Sequence, residues 1–196
     1  MFLNEKDYIR FLLSMREFNR IKPIDSLYNQ NKHARAGIRN PLGVSDSCDR
    51  IVETICYCLN PNHYHFILKQ LRDNGITEFM RKVGIGYTNY FNKKHNHSGY
   101  LFQGKFKSIH IDTDEYLIWL SAYINLNPKL HKITNNLKKY PWSSYLDYIG
   151  LRNGTLCNKD IILNQFPPKN YTYKNFIDAC LPAMKMRKNL QKYFIE

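Results

Sequence analysis

The chain has 196 residues, which suits one domain with extensions or two small domains. Apolar residues make up 43% of it, so a hydrophobic core can form and disorder throughout the chain is excluded. The 29 Lys and Arg residues exceed the 16 Asp and Glu residues and give a formal net charge of +13. That surplus favours a polyanionic partner, most commonly nucleic acid, although a Lys- and Asn-rich proteome would also explain it.

No stretch approaches the roughly 18 apolar residues of a membrane span, and the first residues lack the basic-then-apolar pattern of a signal peptide. We therefore expect a cytoplasmic protein that makes no membrane contact. An odd number of cysteines without CxxC spacing indicates free thiols rather than disulfides. These are Cys48, Cys56, Cys58, Cys157 and Cys180.

Apolar residues at helical spacing predict a first helix over residues 5–18, with Asn4 as its N-cap. A polar, basic segment follows as far as Asp46 and is predicted to be a loop. Next, residues 51–59 and 63–68 are rich in β-branched and aromatic residues and flank the turn sequence Asn60-Pro61-Asn62. This pattern predicts a β-hairpin.

Thr77 is predicted to cap a second helix whose apolar face runs from Ile76 to Phe91. Gly84 and Gly86 lie inside this helix, where glycine is unfavourable, so a neighbouring group is expected to pack closely there. Residues 100–111 are predicted to form a third strand, bent at Gly104. A third helix is predicted over residues 114–126, capped by Asp112 or Thr113 and ended by Asn127-Pro128.

From residue 129 onward the chain carries twelve Lys and Arg residues against four Asp and Glu residues. We predict a basic, mostly helical C-terminal extension over 129–196, following a domain over 1–128. The order helix, strand, strand, helix, strand, helix predicts an α+β fold with a ferredoxin-like antiparallel sheet. The opening strand of that fold is missing.

Two pairs of residues have spacings that suit chemistry. His63 and His65 leave the same face of a strand, where neutral imidazoles can share a divalent cation. Tyr123 and Asn127 lie one helical turn apart, which puts a phenol beside an amide. Each pair also fits an ordinary structural role, as half-exposed histidines, a core-edge tyrosine and a helix-ending asparagine.

Five motifs occur in order along the chain, and together they resemble the single-tyrosine HUH transposases. This is the insertion-sequence-200-like family, which includes the REP-associated tyrosine transposases. The resemblance covers about residues 2–148. The motifs occupy residues 61–65, 87–92, 99–108, 123–128 and 142–145.

The resemblance implies that His63 and His65 are metal ligands, that Asn127 is the third polar ligand and that Tyr123 is the nucleophile. It implies Mg²⁺ or Mn²⁺ as the metal, and single-stranded or hairpin DNA as the substrate. Tyr123 would cut one strand and leave a 5′-phosphotyrosine that is later rejoined. The motifs suit both a chain that uses its own Tyr123 and a homodimer that exchanges it.

Basic residues that flank the proposed site in sequence can neutralise phosphates. They are Arg81, Lys82, Lys93, Lys94, Lys105 and Lys107. Some aromatic residues can stack on unpaired bases, although helical and strand periodicity also places them in a core. They are Tyr87, Tyr90, Tyr100 and Phe102. Lys32, His33, Arg35 and Arg39 in the early loop can order on DNA or remain solvated.

Members of the family begin with a strand that lies in the middle of the sheet, beside the strand that bears the two histidines. This chain starts almost at the first helix, so we expect an N-terminally truncated domain, or a partner that fills the gap. Such a loss leaves backbone groups without partners and puts stability and activity in doubt.

Two other hypotheses remain open from the sequence. The chain can be a non-catalytic relative that binds structured single-stranded DNA. Alternatively, Cys56, Cys58, His63 and His65 can form a structural zinc site across the hairpin, although their spacing is unlike that of a zinc knuckle.

Overall fold

The computed structural model describes residues 1–22, 50–167 and 171–191, with side chains as far as Met186. Most of the predicted early loop, including Lys32, His33, Arg35 and Arg39, lies outside the described residues, as does Cys48. The chain has an α+β fold. Its helices and strands are α1 (Glu5–Glu17), β1 (Val52–Leu59), β2 (Tyr64–Gln70), α2 (Gly75–His95), α3 (Asp114–Leu130), a 3₁₀ turn (Leu137–Lys139), α4 (Tyr145–Tyr148), α5 (Asp160–Leu163) and α6 (Tyr173–Gln191).

Strands β1 and β2 form the predicted hairpin, an antiparallel two-stranded sheet. The turn between them is closed by the Asn60 N–H, which donates to the His63 carbonyl at 2.8 Å. The other edge of β1 is covered by later segments of the chain. Leu59 N–H donates to the Trp142 carbonyl at 2.9 Å, and Ser144 N–H donates to the Tyr57 carbonyl at 2.9 Å. These bonds satisfy the backbone groups of a strand that is buried along most of its length.

The third strand predicted over residues 100–111 is wrong, because the sheet in the described residues contains only β1 and β2. Residues 103–110 are exposed and irregular. An extended segment becomes a strand only when a neighbouring strand pairs with its backbone groups, and no such neighbour lies beside this one among the described residues. Gly104, with φ of 78°, turns the chain further away from strand geometry.

Two predicted helix ends also differ from the structure. Helix α2 begins at Gly75 after Asn74, so Thr77 lies within its first turn and is not the cap. Helix α3 begins as predicted, because the Thr113 hydroxyl accepts the Tyr116 N–H at 3.2 Å. It then continues through Pro128 to Leu130. The proline removes one hydrogen bond, but the His131 N–H still donates to the Asn127 carbonyl and closes the last turn.

The described residues fall into two compact units, and the first comprises Met1–Glu53 and Lys69–Lys107. Its core lies between α1 and α2 and is mostly aromatic. Phe2 and Phe11 contact the fully buried Tyr87 ring at centroid distances of 5.5 and 4.9 Å. The predicted helix over 5–18 is therefore confirmed, and Tyr87 is a core residue.

A buried carboxylate joins the start of α1 to the end of α2. Asp7 is fully buried and accepts the Leu3 N–H at 2.9 Å, while the Lys94 ammonium lies at 2.6 Å and His95 Nε2 at 3.1 Å. Burial alone would raise the pKa of Asp7. The hydrogen bonds from Lys94, Leu3 and His95 outweigh that effect and lower the pKa to about 2.

The second unit comprises Thr54–Leu68 and Ser108–Glu196. Helices α3 and α6 pack together in it, and the core includes Ile55, Leu126, Tyr148 and Ile177. This unit contains residues on both sides of position 128. The boundaries of the two compact units therefore differ from the boundary between the predicted segments 1–128 and 129–196.

In the ranges that the structure describes, no helix combines the length and apolar character that crossing a membrane requires.

The two glycines inside α2 provide a matched test of how closely α1 and α2 pack. A Cβ at Gly86 would lie 2.1 Å from the Phe18 ring, whereas a Cβ at Gly84 would meet nothing within 4 Å. Gly84→Ala is expected to stabilise the protein by about 1 kcal/mol, because alanine favours the helix. Gly86→Ala is expected to destabilise it by about 1–3 kcal/mol through overpacking. Urea unfolding of both variants checks this; equal stabilisation by both would contradict the close packing.

The buried Asp7 predicts a specific loss of stability in acid. Its folded-state pKa of about 2 lies below the ordinary value of 3.8, so the ionised carboxylate stabilises the fold above pH 4. That stabilisation, about 2 kcal/mol, is lost as the pH falls from about 4 to about 2. Asp7→Asn should remove it, and with it this part of the pH dependence of thermal unfolding. Asp178→Asn, in an exposed pair with Lys174, is the control and should change little. An unchanged acid profile in Asp7→Asn would contradict the assignment.

Candidate active site

The hairpin turn places the two candidate imidazoles together. His63 ends the turn and His65 lies on β2, and their ring centroids are 5.0 Å apart at an interplanar angle of 85°. The turn is held from outside as well, because the Tyr140 hydroxyl donates to the Leu59 carbonyl at 2.6 Å. Both rings therefore lie on one side of the sheet, as the spacing of the two histidines predicts.

Hydrogen bonds fix the orientation of the His63 ring. Its Nδ1 lies 2.7 Å from Asn62 Oδ1, and its Nε2 lies 2.8 Å from Asn60 Nδ2. An amide oxygen accepts and an amide nitrogen donates, so this network assigns the proton to Nδ1 and the lone pair to Nε2. A neutral imidazole held through one nitrogen, with a lone pair on the other, is the form that binds metals.

His65 is neutral for a different reason. Burial lowers its pKa, and the neighbouring His63 and His131 lower it further, to about 4. Its Nε2 atom is buried and has no hydrogen-bond partner among the described residues. A buried polar atom left unpaired costs about 1–3 kcal/mol, so a bound cation or a donor would stabilise this position.

Helix α3 brings the second half of the site to the histidines. The Tyr123 ring lies 6.2 Å from the His65 ring, and the His131 ring lies 5.2 Å from the His63 ring. Asn127, fully buried, accepts a hydrogen bond from Asn60 Nδ2 at 2.5 Å. Tyr123, Asn127 and the C-cap residue His131 are spaced by four positions and therefore lie on one face of the helix.

A buried hydrogen-bond network on the opposite side of α3 holds the helix in place. The Tyr173 hydroxyl on α6 lies 3.0 Å from the Ser121 hydroxyl and accepts from Asn125 Nδ2 at 2.9 Å. The Ser144 hydroxyl donates to Asn125 Oδ1 at 2.8 Å and accepts the Tyr57 N–H at 3.1 Å. Helix α6, α3 and β1 are thereby joined through polar groups that have no access to water.

Beside the site, α3 carries a row of stacked aromatic rings. Tyr116 and Trp119 lie 6.5 Å apart at 17°, and Trp119 and Tyr123 lie 5.8 Å apart at 6°. All three side chains are partly exposed. Flat, partly exposed rings that end at the candidate nucleophile offer a surface on which planar groups can stack.

Two residues of this site were missed by the sequence analysis. Asn60 looks like an ordinary turn residue, and only the structure shows that its amide contacts both His63 and Asn127. His131 follows Asn127 by four residues, so helical spacing places it on the same face. It was missed because α3 was predicted to end before Pro128.

The alternative hypothesis of a zinc site formed by Cys56, Cys58, His63 and His65 finds no support among the described residues. No three His, Cys, Asp or Glu side chains in the described ranges form a group suited to hold a metal ion. Cys56 Sγ instead lies 3.2 Å from the Ser144 hydroxyl, and Cys58 Sγ lies 3.5 Å from Asn60 Oδ1. Burial raises the pKa of Cys56 to about 12, which disfavours the thiolate that zinc requires. Both thiols, together with Cys157 and Cys180, are free.

The six basic residues proposed to contact DNA all lie in the first unit. Arg81, Lys93, Lys105 and Lys107 are exposed. Lys94 pairs with Asp7, and Lys82 pairs with Glu78 at 2.8 Å. Of the four aromatic candidates, Tyr87 is in the core and the Tyr90 hydroxyl lies 3.2 Å from Asp7 Oδ1. Phe102 packs near Tyr87 at 6.5 Å, whereas Tyr100 is 96% exposed.

Comparisons with models of protein families, with curated proteins and with solved structures found no match to this chain. Any function assigned to it therefore depends on its own residues and their arrangement.

The environment of His65 predicts an unusual titration in the metal-free protein. Its pKa of about 4, below the ordinary 6.5, keeps the ring neutral throughout the neutral range. Because the unfolded chain takes up this proton at higher pH, protonation favours unfolding as the pH falls below about 6.5. Histidine ring resonances followed by NMR, with His65→Asn used for assignment, measure the pKa. A value at or above 6.5 would contradict the burial of this ring.

Proposed function

We propose that the protein is a DNA transposase of the single-tyrosine HUH type. Tyr123 is its nucleophile, and His63, His65 and Asn127 are its ligands for Mg²⁺ or Mn²⁺. It cuts and rejoins single-stranded DNA through a covalent 5′-phosphotyrosine. We place it in the cytoplasm, where its DNA substrate is a hairpin or an unpaired strand.

The observation that carries this proposal is the convergence of two of the three candidate ligands, His63 and Asn127, on one atom. Asn60 Nδ2 lies within hydrogen-bond distance of both His63 Nε2 and Asn127 Oδ1. The two acceptor atoms come from the hairpin and from a helix more than sixty residues later, yet they face a common point.

The donor set fits the implied metal. The Asn127 amide oxygen suits Mg²⁺ and Mn²⁺, and the two neutral imidazoles suit a transition-metal ion such as Mn²⁺ better than Mg²⁺. The unpaired His65 Nε2 is a buried atom that such an ion would satisfy. When bound, the ion supplies charge that polarises a phosphate and stabilises a leaving oxygen.

The chain's own residues account for the covalent step. The Tyr123 hydroxyl loses its proton to water and attacks the phosphorus, and the bond from phosphorus to the 3′-oxygen breaks. The released 3′-oxygen takes up a proton, and a 5′-phosphotyrosine remains. One phosphodiester replaces another, so a free 3′-hydroxyl can reverse the step without an energy source. Stacking on Trp119 holds the phenol beside His65.

Single-stranded DNA suits the surface next to the nucleophile. The rings of Tyr116 and Trp119 can stack on unpaired bases, which every base permits. The chain's net charge of +13 favours binding to phosphates. Exposed Lys105 and Lys107 are proposed phosphate contacts.

The fold is proposed to be ferredoxin-like, with a further strand beside β2. Because a second chain can supply a strand, we also propose a homodimer, with Tyr123 serving its own or its partner's histidines.

Covalent capture of DNA tests the proposal. The purified full chain is incubated with Mn²⁺ and a labelled pool of DNA hairpins whose single-stranded flanks are randomised. We expect a protein–DNA adduct that survives denaturing electrophoresis, with the phosphate located on Tyr123 by mass spectrometry. Tyr123→Phe should abolish the adduct, because it removes the attacking oxygen.

Tyr171→Phe is the matched control, since it removes the same hydroxyl from an exposed tyrosine outside the proposed site. It should retain the adduct. An adduct that persists in Tyr123→Phe would overturn the proposed nucleophile. Retained hairpin binding with no adduct in the wild type would support the non-catalytic DNA-binding hypothesis instead.

A further inference from the structure

Asn60 has a structural position that its place in a turn does not explain. It is fully buried, and both protons of its amide nitrogen face acceptors, His63 Nε2 at 2.8 Å and Asn127 Oδ1 at 2.5 Å. Its amide oxygen lies 3.5 Å from Cys58 Sγ, which is a weak donor. The strong interactions of this side chain are therefore made with two proposed metal ligands.

We propose that the Asn60 amide takes the place of the divalent cation in the metal-free protein and becomes an additional oxygen ligand when the cation binds. This inference rests on the proposed function, because it assumes that His63 and Asn127 hold the metal. It adds a ligand from the residue before the Pro61-Asn62-His63-Tyr64-His65 motif, which the sequence resemblance does not assign.

The exchange of the amide for a cation depends on which atoms donate hydrogen bonds and which accept them. A cation needs the lone pairs of His63 Nε2 and Asn127 Oδ1, and the N–H groups of Asn60 now occupy them. Those N–H groups carry positive partial charge, so they must turn away when a cation arrives. Rotation of the planar amide exchanges its nitrogen and oxygen, and amide oxygen is a suitable ligand for Mg²⁺ and Mn²⁺. After rotation the amide nitrogen faces Cys58 Sγ, a weak acceptor.

Two substitutions separate this role from a purely structural one. Asn60→Asp keeps an oxygen and replaces the donor with a charged ligand, so its Mn²⁺ affinity should rise about tenfold or more. The metal-free form should lose thermal stability, because a buried charge then replaces the amide donor, and Mn²⁺ should restore it. Asn60→Leu has a similar shape but no ligand atom, so its Mn²⁺ affinity should fall about tenfold or more.

Mn²⁺ binding is measured by the electron paramagnetic resonance signal of the free ion, on the full-length variants without DNA. Asn153→Asp, at an exposed position, controls for the added charge and should bind Mn²⁺ as the wild type does. His63→Ala reports on the site itself. If it binds as the wild type does, both the metal site and the Asn60 inference are overturned.

If binding depends on His63 but both Asn60 variants bind as the wild type does, only the Asn60 inference is overturned. Tighter binding by Asn60→Leu also overturns it, since that result makes Asn60 a competitor and not a ligand. A measurement on the wild type covers the case in which a variant fails to fold. The Asn60 side-chain amide resonances should shift on titration with Mg²⁺, and unchanged resonances at saturating Mg²⁺ would overturn the inference.

Discussion

The side chains of the candidate site meet because buried hydrogen bonds hold α3 in a single register. The Tyr173 hydroxyl contacts Ser121 and Asn125, which lie one turn apart on α3. Sliding α3 by one turn, about 5.4 Å, would leave these groups unpaired in the core. It would also carry Tyr123 and Asn127 away from the hairpin. The chemistry proposed for His63, His65, Tyr123 and Asn127 thus depends on contacts made by α6.

Local patterns in the sequence were sufficient to predict the elements that carry the site. The hairpin was predicted because β-branched residues flank a strong turn signal, and α1 because its apolar residues recur at helical spacing. Of the two caps predicted for α3, Asp112 and Thr113, the structure has Thr113, whose hydroxyl accepts the N–H three residues later. Each of these features depends on residues close together in the chain.

Features that depend on distant residues were not predictable in the same way. The segment 100–111 has the composition of a strand, but strand formation also needs a neighbouring edge, which composition does not report. The ending of α3 was misjudged because Pro128 is tolerated in the last turn. The contacts of Asn60 cross sixty-seven positions to Asn127, so no local pattern contains them.

The first and second units play different parts in the proposed activity. The second contains the hairpin histidines, Tyr123 and Asn127, whereas the first contains all six basic residues proposed to contact DNA. Lys94 neutralises the buried Asp7, so its charge already contributes to the fold. Exposed Arg81, Lys105 and Lys107 are better placed to meet phosphates.

The central claim is that the hairpin imidazoles and the α3 side chains surround one cation. Anomalous diffraction from crystals grown with Mn²⁺ tests it most directly, because the signal locates the ion without reference to activity. The account predicts a peak bonded to His63 Nε2, His65 and Asn127, with the Tyr123 hydroxyl beside it. Mn²⁺ bound elsewhere with this cluster vacant, or a Tyr123 hydroxyl remote from the bound ion in both protomers of any dimer, would contradict it.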